Sequence, residues 1–283
     1  MHRPGDRAAP SDLKFPVPRI EVTTLDDPYL AVYRDLPNSR VAGQSGRFIA
    51  EGAILVQRLI ESHLTVESIL VSRRHEEKVS AYAPPDARLI VAPDDMLDQI
   101  VGFKFHRGVI ACGFRPEPTR LRDIASTDAA DSLLVVCPEI LDQENLGSII
   151  RVCAGFGAAG LVLGPTSADP FSRRAVRVSM GTIFKLPVAQ SDDLLSDLQR
   201  LRSTAGYQLI ATVFDEDAVP LHHAECPKKT ALLLGSEGPG LPQELIDLCD
   251  QKVTIPMQHN TDSLNVAVAA GVFLYHFISP DRS

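Results

Sequence analysis

The chain reads as an α/β protein, with a C-terminal domain built on a parallel sheet and a smaller α/β domain ahead of it. Three observations predict this. Short continuous apolar runs recur between Ser132 and Pro256, and such runs suit strands buried on both faces of a parallel sheet. Stretches with apolar residues three and four apart lie between most of them. A second, shorter series of the same kind occupies 46–114, and a charged, proline-bearing segment at 115–131 reads as the linker.

Residues 1–45 read as a partly flexible N-terminal extension, rich in Pro, Arg and Asp near its start and lacking the apolar core of a signal peptide. In the 46–114 domain, Gly46–Glu51 leads into a helix on which Leu55 and Leu59, and Val56 and Ile60, are four apart. Strands are expected over 68–72, 87–92 and 108–113, with a helix over 94–101. In the 132–283 domain, strands are expected over 132–137, 160–164, 186–188, 208–213, 230–235 and 253–256.

The 283 residues exceed one typical domain, and 45% hydrophobic with 23% charged residues is ordinary globular composition. No apolar run approaches the ~18 residues of a membrane span. A cytoplasmic protein without a membrane partner is therefore expected. The five cysteines are scattered without a C-x-x-C pair, so reduced thiols are expected in place of disulfides or a metal site. The net charge of −8 argues against a generic nucleic-acid binder. It is uneven, however, at −1 over residues 1–130 and −7 over 131–283. If RNA is held, the N-terminal half and local arginine clusters must do most of it.

Three segments carry chemistry. In Glu144–Arg151, the apolar positions Leu146, Ile149, Ile150 and Cys153 start a helix, with Asn145 placed as its N-cap. Gly147 sits one turn below Arg151, where it clears room for a ligand to approach the guanidinium. In Leu234–Pro242, three glycines in six residues follow an apolar strand, and ligands of open α/β sheets bind past the carboxyl ends of strands. Pro242 suits the first turn of a short helix. Ile255–Met257 leads through a polar loop to a helix from Ser263 that is apolar nearly all round and reads as buried. Ser263 is placed to cap it, and Asn265, polar on a buried first turn, needs a partner or a substrate. Gly155–Gly160 matches a dinucleotide fingerprint but follows a helix and precedes a strand, the reverse of the required order, so it reads as a helix end and turn.

In order and spacing these segments resemble the SpoU family of RNA 2′-O-ribose methyltransferases, a branch of the SPOUT trefoil-knot superfamily. The first motif matches Asn145, Gly147 and Arg151, and the second Leu234, Gly235, Glu237, Gly238 and Gly240. The third matches Ile255–Met257 and Ser263–Val266, and Asp169–Pro187 is a further family-like stretch. Phe48–Gly52 and Ile69–Ser72 look like the L30e-type RNA-binding domain that many members carry.

The resemblance implies a deep trefoil knot in the C-terminal domain, an exception to the rule that folds are unknotted. It also implies an S-adenosylmethionine cofactor, an RNA substrate and a homodimer with its active site near the interface. Leu234, Gly235, Glu237, Gly238, Gly240, Ile255, Met257 and Leu264 would hold the cofactor. Arg151, Asn145, Ser263 and Asn265 would be catalytic. Arg173, Arg174, Arg177, Arg47, Lys104 and Arg107, with His106, would contact RNA, although 104–107 departs from the usual Pro-Gln-Gly of relatives. The extra domain favours ribosomal over transfer RNA. A non-catalytic RNA-binding assembly protein and a base-methylating knotted enzyme are the rival readings.

Overall fold

The computed structural model describes residues 17–34, 46–101, 108–125, 131–259 and 263–278. Lys104, His106 and Arg107 lie outside the described residues. The first sheet has the order β1-β4-β3-β5-β2, with β1 (Arg19–Glu21), β2 (Arg47–Glu51), β3 (Val66–Ser72), β4 (Arg88–Ala92) and β5 (Val109–Phe114). Strands β1, β4 and β3 run parallel, and β5 runs antiparallel to β3 and β2. Strand β1 comes from the segment read as an extension. Arg19–Glu21 pairs with Leu89–Val91, and Val22, Leu30 and Tyr33 are fully buried beneath the sheet. A three-residue edge strand is too short to show alternation, so the sequence carries little signal for it. Helices α1 (Ala31–Arg34), α2 (Ala53–Ile60), α3 (Glu76–Ser80) and α4 (Asp94–Val101) complete this unit.

The second sheet is wholly parallel, in the order β10-β12-β9-β11-β6-β7-β8. Its strands are β6 (Ser132–Cys137), β7 (Gly160–Leu163), β8 (Val188–Gln190), β9 (Gln208–Thr212), β10 (Val219–Pro220), β11 (Lys229–Leu233) and β12 (Gln251–Thr254). Every residue of β6 and β7 is buried, as their unbroken apolar runs require. Strand β8 starts only at Val188, because Leu186 still belongs to a tight turn, its amide donating to the Thr182 carbonyl. Helices α5 (Leu121–Ala125), α6 (Gln143–Phe156), α7 (Arg173–Val178), α8 (Leu194–Ala205), α9 (Gln243–Leu248) and α10 (Val266–Ile278) accompany it. Helix α5 buries Ile124 and Ala125 in the second core and Thr119 bridges Ala189, so much of 115–131 is packed structure.

The two sheets share a continuous core. Phe48 of β2 lies with ring centroids 5.1 Å from Phe171 and 5.4 Å from Phe184. Glu51, almost fully buried, pairs with Arg173 at 2.7 Å, and Arg115 forks onto Asp169 at 2.8 and 2.5 Å. The Arg58 guanidinium donates to the Met180 carbonyl.

Helices α6 and α10 lie side by side and run in the same direction. Asn145 touches Asn265 at their starts, Val152 faces Gly271 midway, and Phe156 meets Tyr275 at 6.2 Å near their ends. Gly155–Gly160 is the end of α6, closed by Gly157 in the left-handed region, and the start of β7. All five cysteines are free, and burial pushes the Cys153 thiol up to about 12. Among the described residues no helix is long and apolar enough to cross a membrane.

Candidate active site

The carboxyl ends of the adjacent strands β12, β9 and β11 open into a cleft of about 500 Å3. Its far side is closed by the segment entering α10 and by Val266, Ala269 and Phe273 of that helix. This is where an open parallel sheet binds ligands, because loops leaving the strand ends converge there. All eight residues expected to hold a cofactor line it: Leu234, Gly235, Glu237, Gly238, Gly240, Ile255, Met257 and Leu264. Ser263 and Asn265 line it too.

The glycines shape the loop after β11. Ser236 and Gly240 exchange backbone hydrogen bonds at 3.2 and 3.1 Å, closing a tight loop. A Cβ on Gly235 would lie 2.6 Å from the Gly240 carbonyl carbon, so a side chain there breaks the closure. Gly238 and Gly240 take φ of 88° and 73°, which other residues rarely adopt.

A polar network sits at the rim. The Asn145 amide donates to Glu237 Oε1 at 2.9 Å, and the Asn265 amide donates both to that oxygen at 3.0 Å and to Asn145 Oδ1 at 2.9 Å. One residue from each of the three sequence segments thus meets at a single carboxylate. Asn265 also caps α10, its Oδ1 accepting from the amides of Ala267 and Val268 at 3.0 and 3.3 Å. This corrects the expectation that Ser263 is the cap and that Asn265 is buried, since Asn265 is exposed. Likewise α6 is capped by Asp142, which accepts from the amides of Glu144 and Asn145, leaving Asn145 in the first turn and free to reach Glu237.

Gly147 does not clear room for a ligand. It is buried against α7, where a Cβ would sit 2.8 Å from Val178 Cβ and 2.9 Å from the Ala175 carbonyl oxygen. Arg151 is exposed on α6, makes no hydrogen bond or ion pair with the described residues, and is not among the residues lining the cleft. Helix α10, apolar nearly all round, leaves Val268, Val272 and Tyr275 exposed, with Leu264 just before it and Phe156 beside it on α6. This face is unpartnered in the chain as described.

The arginines expected to bind RNA divide. Arg47 is paired with Glu67 at 2.5 Å, Arg173 with buried Glu51, and Arg174 with Glu144. Arg177 has no partner among the described residues and lines a hollow of about 340 Å3 with Gly52, Ile54 and Met180, between the two sheets. Sequence reasoning missed Thr212, Val213 and Phe214, which line the cleft from the end of β9. The strand itself was predicted, and the rule placing ligands past strand ends applies to it as much as to β11.

The SpoU rRNA Methylase family model matches residues 132–275. An uncharacterized tRNA/rRNA methyltransferase of Mycobacterium tuberculosis is 37% identical over 275 residues, covering 92% of this chain and 94% of the relative. The 23S rRNA (guanosine-2′-O-)-methyltransferase RlmB of Acinetobacter baylyi is 32% identical over 187 residues, covering 65% and 75% of the two chains. The crystal structure of an AdoMet-bound rRNA methyltransferase from Sinorhizobium meliloti superposes with a TM-score of 0.80 at 28% identity, covering 91% of this chain and 97% of that one. With the parallel sheet and the convergence of its three motifs at one cleft, the chain belongs to the SpoU rRNA methylase family and is an RNA methyltransferase.

Proposed function

We propose that this protein transfers a methyl group from S-adenosylmethionine to a ribose 2′-hydroxyl of RNA, ribosomal rather than transfer RNA. The observation that carries the reading is the meeting of Asn145, Glu237 and Asn265 at the rim of a cleft walled by other residues of the second and third motifs. S-adenosylmethionine is the cofactor of the family, and the cleft fits it. A volume of about 500 Å3 lies within the range of small-molecule sites, and the walls combine apolar side chains with approachable glycine backbone. Leu234, Ile255, Met257 and Leu264 would pack on it. The ribose and ribosomal assignments are favoured by the 2′-O specificity in the name of the Acinetobacter relative.

The cofactor supplies an already activated methyl group on a sulfonium, so the protein's work is to position a hydroxyl in line and favour charge on its oxygen. Arg151, a planar guanidinium with five N–H donors, suits stabilisation of that charge and of a neighbouring phosphate. The Asn145–Glu237–Asn265 network holds the starts of α6 and α10 in register with the loop after β11 and leaves the second amide N–H of Asn145 for the nucleotide. Of the arginine trio on α7, Arg177 is the one available for RNA phosphate, because Arg173 and Arg174 are engaged.

A trefoil knot in the second sheet and an L30e-type first domain complete this reading. So does a homodimer, supported by the exposed apolar face of α6 and α10. Leu264 belongs both to that face and to the cleft. Pairing through that face would set the partner protomer against the rim of each cleft at Leu264. The test is methyl-labelled S-adenosylmethionine with separate pools of unmodified ribosomal and transfer RNA, digested in alkali. Label in alkali-resistant dinucleotides from the ribosomal pool, abolished in R151A, is the expected result. Label in alkali-sensitive products would instead favour base methylation.

A further inference from the structure

Phe214 is a large aromatic side chain in the cleft that neither the motifs nor the polar network uses. It is 69% exposed, yet it lines the cleft beside Thr212 and Val213. Its backbone is fixed on both sides. The Val213 amide donates to the Val253 carbonyl at 3.0 Å, and Thr212 Oγ1 donates to the Leu233 carbonyl at 2.8 Å. One residue later, Lys252 holds the Asp215 carboxylate at 2.7 Å. The ring is thus presented from a rigid strand end, and only its own torsions are free.

Its position in the sheet says which part of a ligand it meets. In the order β12-β9-β11-β6, Glu237 follows β11 and Asn145 follows β6, whereas Phe214 follows β9. The polar network therefore stands toward α6, and the proposed function sets the nucleotide and the reacting methyl at that end. The opposite end of the cleft is walled by Val213, Phe214, Thr254 and Ile255 and offers apolar surface for a flat ring.

We propose that Phe214 lays its ring face on the adenine of bound S-adenosylmethionine and is a binding residue for that cofactor. The proposal rests on the cofactor reading given above. An exposed aromatic is a costly way to face water but a good stacking platform, and removing one stacking partner weakens binding about ten- to a hundredfold.

Titration calorimetry with S-adenosylmethionine, S-adenosylhomocysteine and 5′-methylthioadenosine tests this on wild type and on F214A, F214L and F214Y. The three ligands share the adenine, and only the first carries the sulfonium charge. F214A is expected to weaken all three by the same factor, about tenfold or more, with F214Y close to wild type and F214L between. Melting temperatures should stay level because the side chain is exposed. A loss confined to S-adenosylmethionine would mean contact with the sulfonium and overturn the adenine assignment. Unchanged affinities with a raised KM for RNA would move the ring onto an RNA base and overturn it too. Wild-type protein that binds none of the three ligands overturns the cofactor reading, whereas wild-type binding with unaltered F214A overturns the Phe214 assignment alone.

Discussion

Replacing Gly147 by alanine sets two effects of opposite sign against each other. Gly147 lies inside α6, where alanine is favoured over glycine by about 1 kcal/mol. A Cβ there would, however, lie 2.8 Å from Val178 Cβ, 2.9 Å from the Ala175 carbonyl oxygen and 3.1 Å from Ala175 Cα. Carbon atoms pack comfortably at about 3.5–4.0 Å, so the helices must part by roughly 0.7 Å. Two of the three obstructing atoms are backbone, so no rotamer change relieves them. Helix α7 also resists, being tied by Arg173 to Glu51 and by Arg174 to Glu144. Overpacking of this kind costs about 1–3 kcal/mol. The net is a destabilisation of about 1 kcal/mol, or a fall in Tm of about 2–4 °C by differential scanning calorimetry. Gly155, in the same helix with nothing within 4 Å of its would-be Cβ, is the control, and G155A should melt at or above wild type. A G147A protein that melts as high as G155A would refute the packing argument.

Four further outcomes follow from the same geometry. G235A should lose most S-adenosylmethionine affinity in calorimetry while remaining folded, because a Cβ there collides with the Gly240 backbone and opens the loop. N265A should lose about 1 kcal/mol of stability with the α10 cap, whereas N265D keeps the capping oxygen, sets a second carboxylate against Glu237, and should melt near wild type with turnover reduced. R173A should lower stability by about 3 kcal/mol in urea unfolding by stranding the buried Glu51 carboxylate, whereas R177A should leave stability level and weaken RNA binding in filter assays. Arg47, donating to Glu67, holds that carboxyl below its ordinary 4.5, so its contribution is complete above 4.5 and fades as pH falls through the lowered value. E67Q should therefore show a shallower loss of urea midpoint as the pH falls below 4.5.

What could be read from the residues alone follows a physical divide. Continuous apolar runs such as Ser132–Cys137 announce their strands because burial on both faces leaves polar residues no place. The glycine-dense loop after β11 was legible because its closure is local, whereas the Ser263–Val266 segment suggests the wrong cap. Features that depend on distant partners were not legible. Arg173 looks like a surface cation until Glu51, 122 positions away, is folded against it. Asn145 and Asp142 are both good caps, and only the reach of Asn145 to Glu237 decides between them. The uniform apolarity of α10 predicts burial, yet one stripe of it faces outward, since a sequence does not say which apolar face another element covers.

The shared core between the sheets has a consequence for what the enzyme can choose. With Phe48 wedged against Phe171 and Phe184, and Glu51 and Arg115 clamped across the junction, the first domain is a fixed ruler and not a swinging arm. Under the proposed reading, an RNA held by that domain would present to the cleft only the nucleotide at one set spacing and angle from the held element. Selection among many chemically equal target groups would then become a matter of length, measured by the packed junction between the two sheets.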